Sequence, residues 1–185
     1  MQRTTLILER TAALRETFGV EASWWSSAFL ADTQALVMRI TGAVAIVTST
    51  IHITAETIDG PFIVISGDTP HIPETRIRDT FTLLERGYDV VVGPCDRGSW
   101  YILGLRQASL ATHIPLSEGG LLPWIEQIHQ RGVRIIQLPL WFRIVHPTDL
   151  ATLAIALRTM PAWYAPATRH LLGDNEGSLA REWGA

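Results

Sequence analysis

The sequence predicts an α/β protein: a three-layer αβα sandwich on a mostly parallel central sheet. The apolar runs Phe62–Ile65 and Val90–Val92 are unpatterned, as strands buried on both faces are, and a helix-like stretch separates them. Strand-like and helix-like segments alternate along the chain, the mark of stacked βαβ units. At 185 residues, 47% hydrophobic and 18% charged, the chain can fill such a core as one domain spanning 1–185.

Thr4–Leu8 reads as the first strand, and Thr11–Phe18 as a short helix closed by Gly19. From Ser23 to Arg39, Trp25, Phe29, Leu30, Leu36 and Val37 recur at helical spacing. Trp24 and Trp25 fit the rim and core of that helix better than a stacking platform. Gly42 opens a second strand, Ala43–Thr48, and the polar, β-branched Ser49–Gly60 fits a short extra strand or a loop. In the central unit, Phe62–Ile65 ends in Ser66-Gly67-Asp68-Thr69-Pro70, and a helix follows from near Pro73. That helix turns Ile77, Phe81 and Leu84 inward and stops at Gly87. Val90–Val92 then ends in Gly93-Pro94, and a third run, Trp100–Leu105, comes straight after.

The chain to Leu121 reads as loop, including Ser117-Glu118-Gly119-Gly120, whose glycines fit a hinge, a cap or a close approach to ligand. Pro123 suits the first turn of a helix that ends at Arg131 and Gly132. Val133–Leu138 is the next strand and Leu140–Val145 a further candidate. Pro147 opens the last helix, with Leu150, Leu153, Ile155 and Leu157 as its apolar set. The tail, 160–185, has room for one short helix around Ala167–Leu172.

Composition excludes several functions. A net charge of -3 gives no pull toward nucleic acid. All 15 basic residues are arginines, so no lysine can clamp phosphate or form a Schiff base. Cys95 is the single cysteine, which rules out an intrachain disulfide or thiolate cluster, and it reads as a half-buried residue rather than a nucleophile. No apolar stretch reaches the roughly 20 residues that span a bilayer. The first residues lack a secretory pattern, so the expected location is the cytoplasm.

Asp68 lies just past the carboxyl end of a central strand, where open α/β sheets bind ligands. Its segment, Gly67-Asp68-Thr69-Pro70, is followed by Asp89-Val90-Val91-Val92-Gly93-Pro94 and by Arg97-Gly98-Ser99-Trp100-Tyr101-Ile102-Leu103-Gly104. These three stretches resemble the glycosyltransferase-A-like family of selenodomain-associated or arsenosugar-biosynthesis transferases, in the nucleotide-diphospho-sugar transferase superfamily. They resemble the molybdenum-cofactor and phospholactate nucleotidyltransferases more distantly. The resemblance implies the glycosyltransferase-A, Rossmann-like fold with a nucleotide or nucleotide-sugar site. It also implies Mg²⁺ or Mn²⁺, held by carboxylates against the donor diphosphate. The implied site is Asp68 as catalytic residue and metal ligand, with Gly67, Thr69, Gly98 and Tyr101 around the substrate. Asp96, Arg97 and Arg143, which stand at or beside positions where this chain departs from the family, are the further substrate-binding candidates.

The departures from the family are specific. The family has a glycine- and lysine-bearing phosphate loop after its first strand; here Leu6-Ile7-Leu8-Glu9-Arg10 runs directly into Thr11, so the loop is missing. The aspartate of its Asp-Gly-Gly segment is Arg97, and two carboxylate positions before its last helix are Arg143 and Val145. Asp149 survives there, as a helix first-turn residue would. One carboxylate among arginines is a poor seat for a hard divalent cation. Asp96, by a slip of the loop, or His146 could substitute as ligand, although His146 equally fits a helix cap. Arg97 and Arg143 could instead hold phosphate in the ion's place, or form a salt bridge with Asp68 or Asp96 over an emptied site.

Three functions stay open. The first is a divergent relative repurposed for binding or assembly, with a protein partner or a second copy meeting Trp24, Trp163 or Trp183. The second is a transferase using a nucleotide-activated donor, with arginines replacing the metal. The third is a phospholactate-type nucleotidyltransferase, echoed in Pro94-Cys95-Asp96-Arg97-Gly98. The lost parts favour the first.

Overall fold

The computed structural model describes residues 3–41 and 45–173. Six strands form one sheet: β1 (Thr4–Leu8), β2 (Ala45–Thr48), β3 (Phe62–Ser66), β4 (Val90–Pro94), β5 (Trp100–Leu105) and β6 (Ile135–Gln137). Their spatial order is β2-β1-β3-β5-β4-β6. The pairs β1–β2, β1–β3 and β4–β6 are parallel, and β5 runs antiparallel to both of its neighbours. Among the described residues the helices are α1 (Thr11–Phe18), α2 (Ala22–Thr41), α3 (Ile51–Ala55), α4 (Glu74–Glu85) and α5 (Leu121–His129) between the strands, and α6 (Asp149–Arg158) after the last one. A further helical stretch covers 166–173, where the sequence predicts one.

The sheet is covered on both faces, and strand alternation divides the two cores. In β3, Ile63 and Ile65 face a core shared with Leu14 of α1, Trp25 and Phe29 of α2, Phe81 of α4 and Leu153 of α6. Phe62 and Val64 face a second core with Ile51 of α3 and Trp124 of α5. Every residue of β1, β3 and β5 is buried, which explains why these runs carry no polar alternation.

β3, α4 and β4 form the expected parallel crossover, but β5 is inserted between the two strands. The reason is connection length. Only residues 95–99 join β4 to β5, too few for a parallel crossover, so the chain returns as a hairpin. α4 starts after Pro73 and buries Ile77, Phe81 and Leu84 as expected.

Four expectations are corrected. Ser49–Gly60 holds α3, started where Thr48 Oγ1 accepts the Thr50 N–H at 3.0 Å. Leu140–Val145 is not a strand; its one ladder contact is a bridge between Trp141 and Cys95. The chain between β5 and α5 contains a 3-10 turn, Ala108–His113. Ile155 is 64% exposed and so is no part of the core face of α6. The expected strand start at Gly42 and Ala43, the tail beyond 173 and Trp183 lie outside the described residues.

Candidate functional site

The site is built at the carboxyl ends of β1 and β3. Backbone approach is tight here: the Gly67 N–H donates to the Leu8 carbonyl at 2.8 Å. A Cβ on Gly67 would stand 2.6 Å from that carbonyl oxygen and 2.8 Å from Leu30 Cδ2. Gly67 is therefore required by the neighbouring strand and helix rather than by a ligand. Thr69, fully buried, turns its hydroxyl back to donate to the Ser66 carbonyl. The turn presents Asp68 under the segment that precedes α6, where the Ile144 N–H donates to the Asp68 carbonyl at 2.9 Å.

Arg143 from that segment closes on Asp68. Its Nε donates to Oδ1 at 2.9 Å and to Oδ2 at 3.1 Å, and its Nη2 donates to Oδ2 at 2.5 Å. Its Nη1 donates to Ser99 Oγ at 2.7 Å. Asp68 is 1% exposed and Arg143 8% exposed. Burial alone would raise the Asp68 carboxyl; the charge and hydrogen bonds of Arg143, with Arg10 and Ser66 adding, outweigh it and hold the group below the usual carboxylate range. Burial likewise works against the charged Arg143, and Asp68 reverses that, holding its guanidinium above its ordinary value.

Arg10 is a member of this cluster that the sequence reading missed. It stands just past β1, where the family's phosphate loop would begin, with Nε 3.7 Å from Asp68 Oδ2. Burial, and then the like charge of Arg143, lower its pKa despite Asp68 and Glu118. Its place at the end of the strand beside β3 was the available signal. His71 was missed as well. Fully buried, it packs 4.1 Å from the ring of Phe142 and 5.6 Å from Trp141, and neither ring nitrogen has a partner among the described residues. Burial pushes it down to about 3, against the pull of Asp68, so it is a neutral core imidazole.

The other predicted residues divide between rim and core. Arg97 does not reach Asp68; it pairs with Asp149 at 3.3 Å and Glu118 at 3.8 Å. Asp149 also accepts the backbone N–H groups of Val145 and His146, each at 2.8 Å, which fixes the turn into α6. His146 is exposed, and its backbone rather than its ring meets Asp149. Gly98 turns the β4–β5 hairpin at φ 65°, and the Gly119 Cα comes so close that a Cβ on Gly98 would sit 3.2 Å from it. The Gly119–Gly120 loop thus docks on protein, with the Gly119 N–H donating to the Arg97 carbonyl at 3.2 Å. Tyr101, expected beside the substrate, is fully buried in the core, its hydroxyl donating to the Pro139 carbonyl at 3.1 Å. Alternation puts it there, opposite in face to Trp100. Cys95 is buried and its thiol is pushed up to about 12, chiefly by burial, so it is no nucleophile at neutral pH.

Between Asp96, Arg97, Ser99, Glu118 and Arg143 is a crevice hardly larger than a water molecule. Exposed Asp96 sits at its rim. A divalent cation does not fit these residues. Asp68, the ligand in question, is covered by Arg143, and among the described residues no group of three or more His, Cys, Asp or Glu side chains could hold a metal.

Comparison with known proteins supplies the fold relationship. A protein assigned as a nucleotide-diphospho-sugar transferase from Desulfovibrio desulfuricans G20 superposes with a TM-score of 0.77 over 96% of each chain, at 16% identity. The fold is nucleotide-diphospho-sugar transferase-like. Two further structures share the fold less closely. A CMP:2-keto-3-deoxy-manno-octonic acid synthetase complexed with CTP matches at TM-score 0.55 and 10% identity, over 86% of this chain and 100% of that one. A homologue of Mycobacterium tuberculosis Rv0371c from Mycobacterium sp. strain JC1 matches at TM-score 0.54 and 13% identity, over 86% of this chain and 100% of that one. In sequence, residues 34–118 match a family described as an uncharacterized protein conserved in bacteria (DUF2064). No curated protein matches the chain. Among the described residues, no helix is long and apolar enough to cross a membrane.

Proposed function

We propose that this chain is a divergent nucleotide-diphospho-sugar transferase-like protein whose single domain has given up metal-dependent transfer and serves binding or assembly. The observation that carries the proposal is the Arg143 guanidinium, seated with two nitrogens on the Asp68 carboxylate at 2.5–3.1 Å. It supplies the positive charge that a divalent ion would bring, but as a fixed part of the protein with no exchangeable coordination site. The metal-free transferase alternative needs guanidinium edges turned to a phosphate. Instead the Arg143 donors are directed at Asp68 and Ser99, and Arg97 pairs with Asp149. The two guanidinium nitrogens of the cluster left without a hydrogen-bond partner, Arg97 Nη1 and Arg10 Nε, are buried beside Glu118 and Asp68.

The ligand to test first is a nucleotide, because the synthetase of the same fold was captured with CTP. A thermal-shift screen of nucleotides and nucleotide sugars, each with and without Mg²⁺ or Mn²⁺, separates the readings. The proposal expects any nucleotide-dependent rise in melting temperature to be the same with and without the ions. A rise that requires the ion would overturn it, since linkage ties such a shift directly to ligand binding.

A further inference from the structure

A second cavity lies away from the Asp68 cluster and shares no residue with its crevice. It has a volume of about 170 Å³ and is walled by Asp32, Ala35, Leu36 and Arg39 of α2 on one side and by 163–166 on the other. Its two acidic and basic residues are in different states. The Asp32 carboxylate is spent, because it accepts the backbone N–H groups of Ala167 at 3.0 Å and Thr168 at 2.7 Å at the start of the helical stretch 166–173. Arg39 lies with its guanidinium 4.0 Å from the centroid of the Trp163 ring and makes no hydrogen bond or ion pair among the described residues. Stacking on an indole uses the face of a guanidinium and leaves its N–H edges free to donate.

The wall opposite Arg39 is held in place from inside the protein. Tyr164 donates its hydroxyl to the Ile72 carbonyl, and Arg169 donates through Nε to the Tyr164 carbonyl at 2.7 Å. Ala165 is the one non-glycine with positive φ among the described residues, at 51°, so the chain turns sharply at the cavity floor. The result is a preformed, largely apolar space whose mouth carries a guanidinium with no ion-pair partner among the described residues, the usual make-up of a small-molecule site.

We infer that this cavity binds a small aromatic carboxylate: the ring enters between Leu36 and Trp163, and the carboxylate meets the free edge of Arg39. Size sets the limit. A cavity of roughly 150 Å³ holds a benzene ring, so the space here suits a single ring with its acid group outside, against Arg39. Charge sets the sign, because a cation would be repelled by the guanidinium, and a neutral amide meets its edge with one uncharged acceptor instead of a carboxylate's two charged oxygens.

The test uses the full chain with benzoate and benzamide, two probes of the same shape that differ in charge. Binding is read by saturation-transfer NMR and by tryptophan emission. Benzoate should bind with a dissociation constant of about 1 mM or tighter, and benzamide about tenfold more weakly, the ratio expected for a charge-assisted hydrogen bond. Arg39→Gln should erase the preference while leaving the melting temperature near that of the parent, since Arg39 is exposed. Ala35→Phe, which fills the space from the exposed side of α2 and keeps the charge, should abolish binding of both probes. Equal binding of the two probes, or benzoate binding that survives both variants, would refute the inference. So would the absence of saturable binding up to about 10 mM, or a self-associated dimer that Ala35→Phe dissociates.

Discussion

Replacing Arg143 with methionine is the perturbation on which the site's energetics can be worked through. The substitution preserves much of the side-chain length and removes the guanidinium, and with it three hydrogen bonds to the Asp68 carboxylate and one to Ser99 Oγ. What remains near the carboxylate is Arg10, at 3.7 Å, in a place that is 1% exposed. Breaking a buried ion pair by removing one partner costs about 3–5 kcal/mol, most of it the desolvation of the charge left behind. For a chain of this size each kcal/mol moves the melting temperature by about 2–4 °C, so the variant should melt about 6–20 °C lower. Asp68→Asn/Arg143→Met, in which neither charge is left alone, should recover a large part of that loss. Urea unfolding of the parent, both single variants and the double variant gives the coupling directly. A cost for Arg143→Met below about 1 kcal/mol, or strict additivity in the cycle, would refute the claim that this pair is a sealed structural unit.

Three other outcomes follow from particular residues. His71 is held at about 3 in the folded protein against 6.5 when unfolded, so the unfolded state takes up the proton first. Stability should therefore fall by about 1.4 kcal/mol per pH unit from pH 6.5 downward. Asp68, whose folded pKa is depressed, adds its own loss only below the ordinary carboxylate range, and His71→Phe should flatten the upper window alone in urea titrations. Gly67→Ala forces a methyl to within 2.6 Å of the Leu8 carbonyl and should cost at least about 1–3 kcal/mol in the same unfolding assay. Arg97→Gln, by contrast, removes longer, partly solvated pairs to Asp149 and Glu118 and should cost less than about 1 kcal/mol by thermal melting.

Much of the fold was legible because its strongest signals are local. β1 and α1 occur at Thr4–Leu8 and Thr11–Phe18 as read, and the Pro73 start and inward Ile77, Phe81 and Leu84 of α4 were set by helix chemistry. The misses have separate physical causes. α3 was obscured by β-branched Ile51 and Thr54, which helices tolerate when tertiary contacts support them; here Ile51 is 3% exposed in the core. The apolar look of Leu140–Val145 came from Trp141 and Phe142 packing on His71, and from Ile144 in the core, without a ladder. The insertion of β5 could have been read from the shortness of the 95–99 turn.

Within the site, the exchange of carboxylates for arginine was visible in sequence, but its consequence was not. The sequence allows both Arg97 and Arg143 to pair with Asp68, and only the fold shows that Arg143 makes the pair while Arg97 turns to Asp149. Arg10 entered the cluster through parallel register, Leu8 against Ser66, which no local motif announces. Tyr101 had the family's position but the wrong face, because the motif is read along a strand and burial is decided across it.

If the Arg143 guanidinium stands where a divalent ion would sit on Asp68, a Mn²⁺ titration followed by electron paramagnetic resonance will find no ion site there. With the parent protein and a nucleotide present, the signal of free Mn²⁺ should decline no more than it does with Asp68→Asn. A stoichiometric loss of free Mn²⁺ in the parent that Asp68→Asn abolishes would mean that Asp68 still seats an ion and that Arg143 has not replaced it.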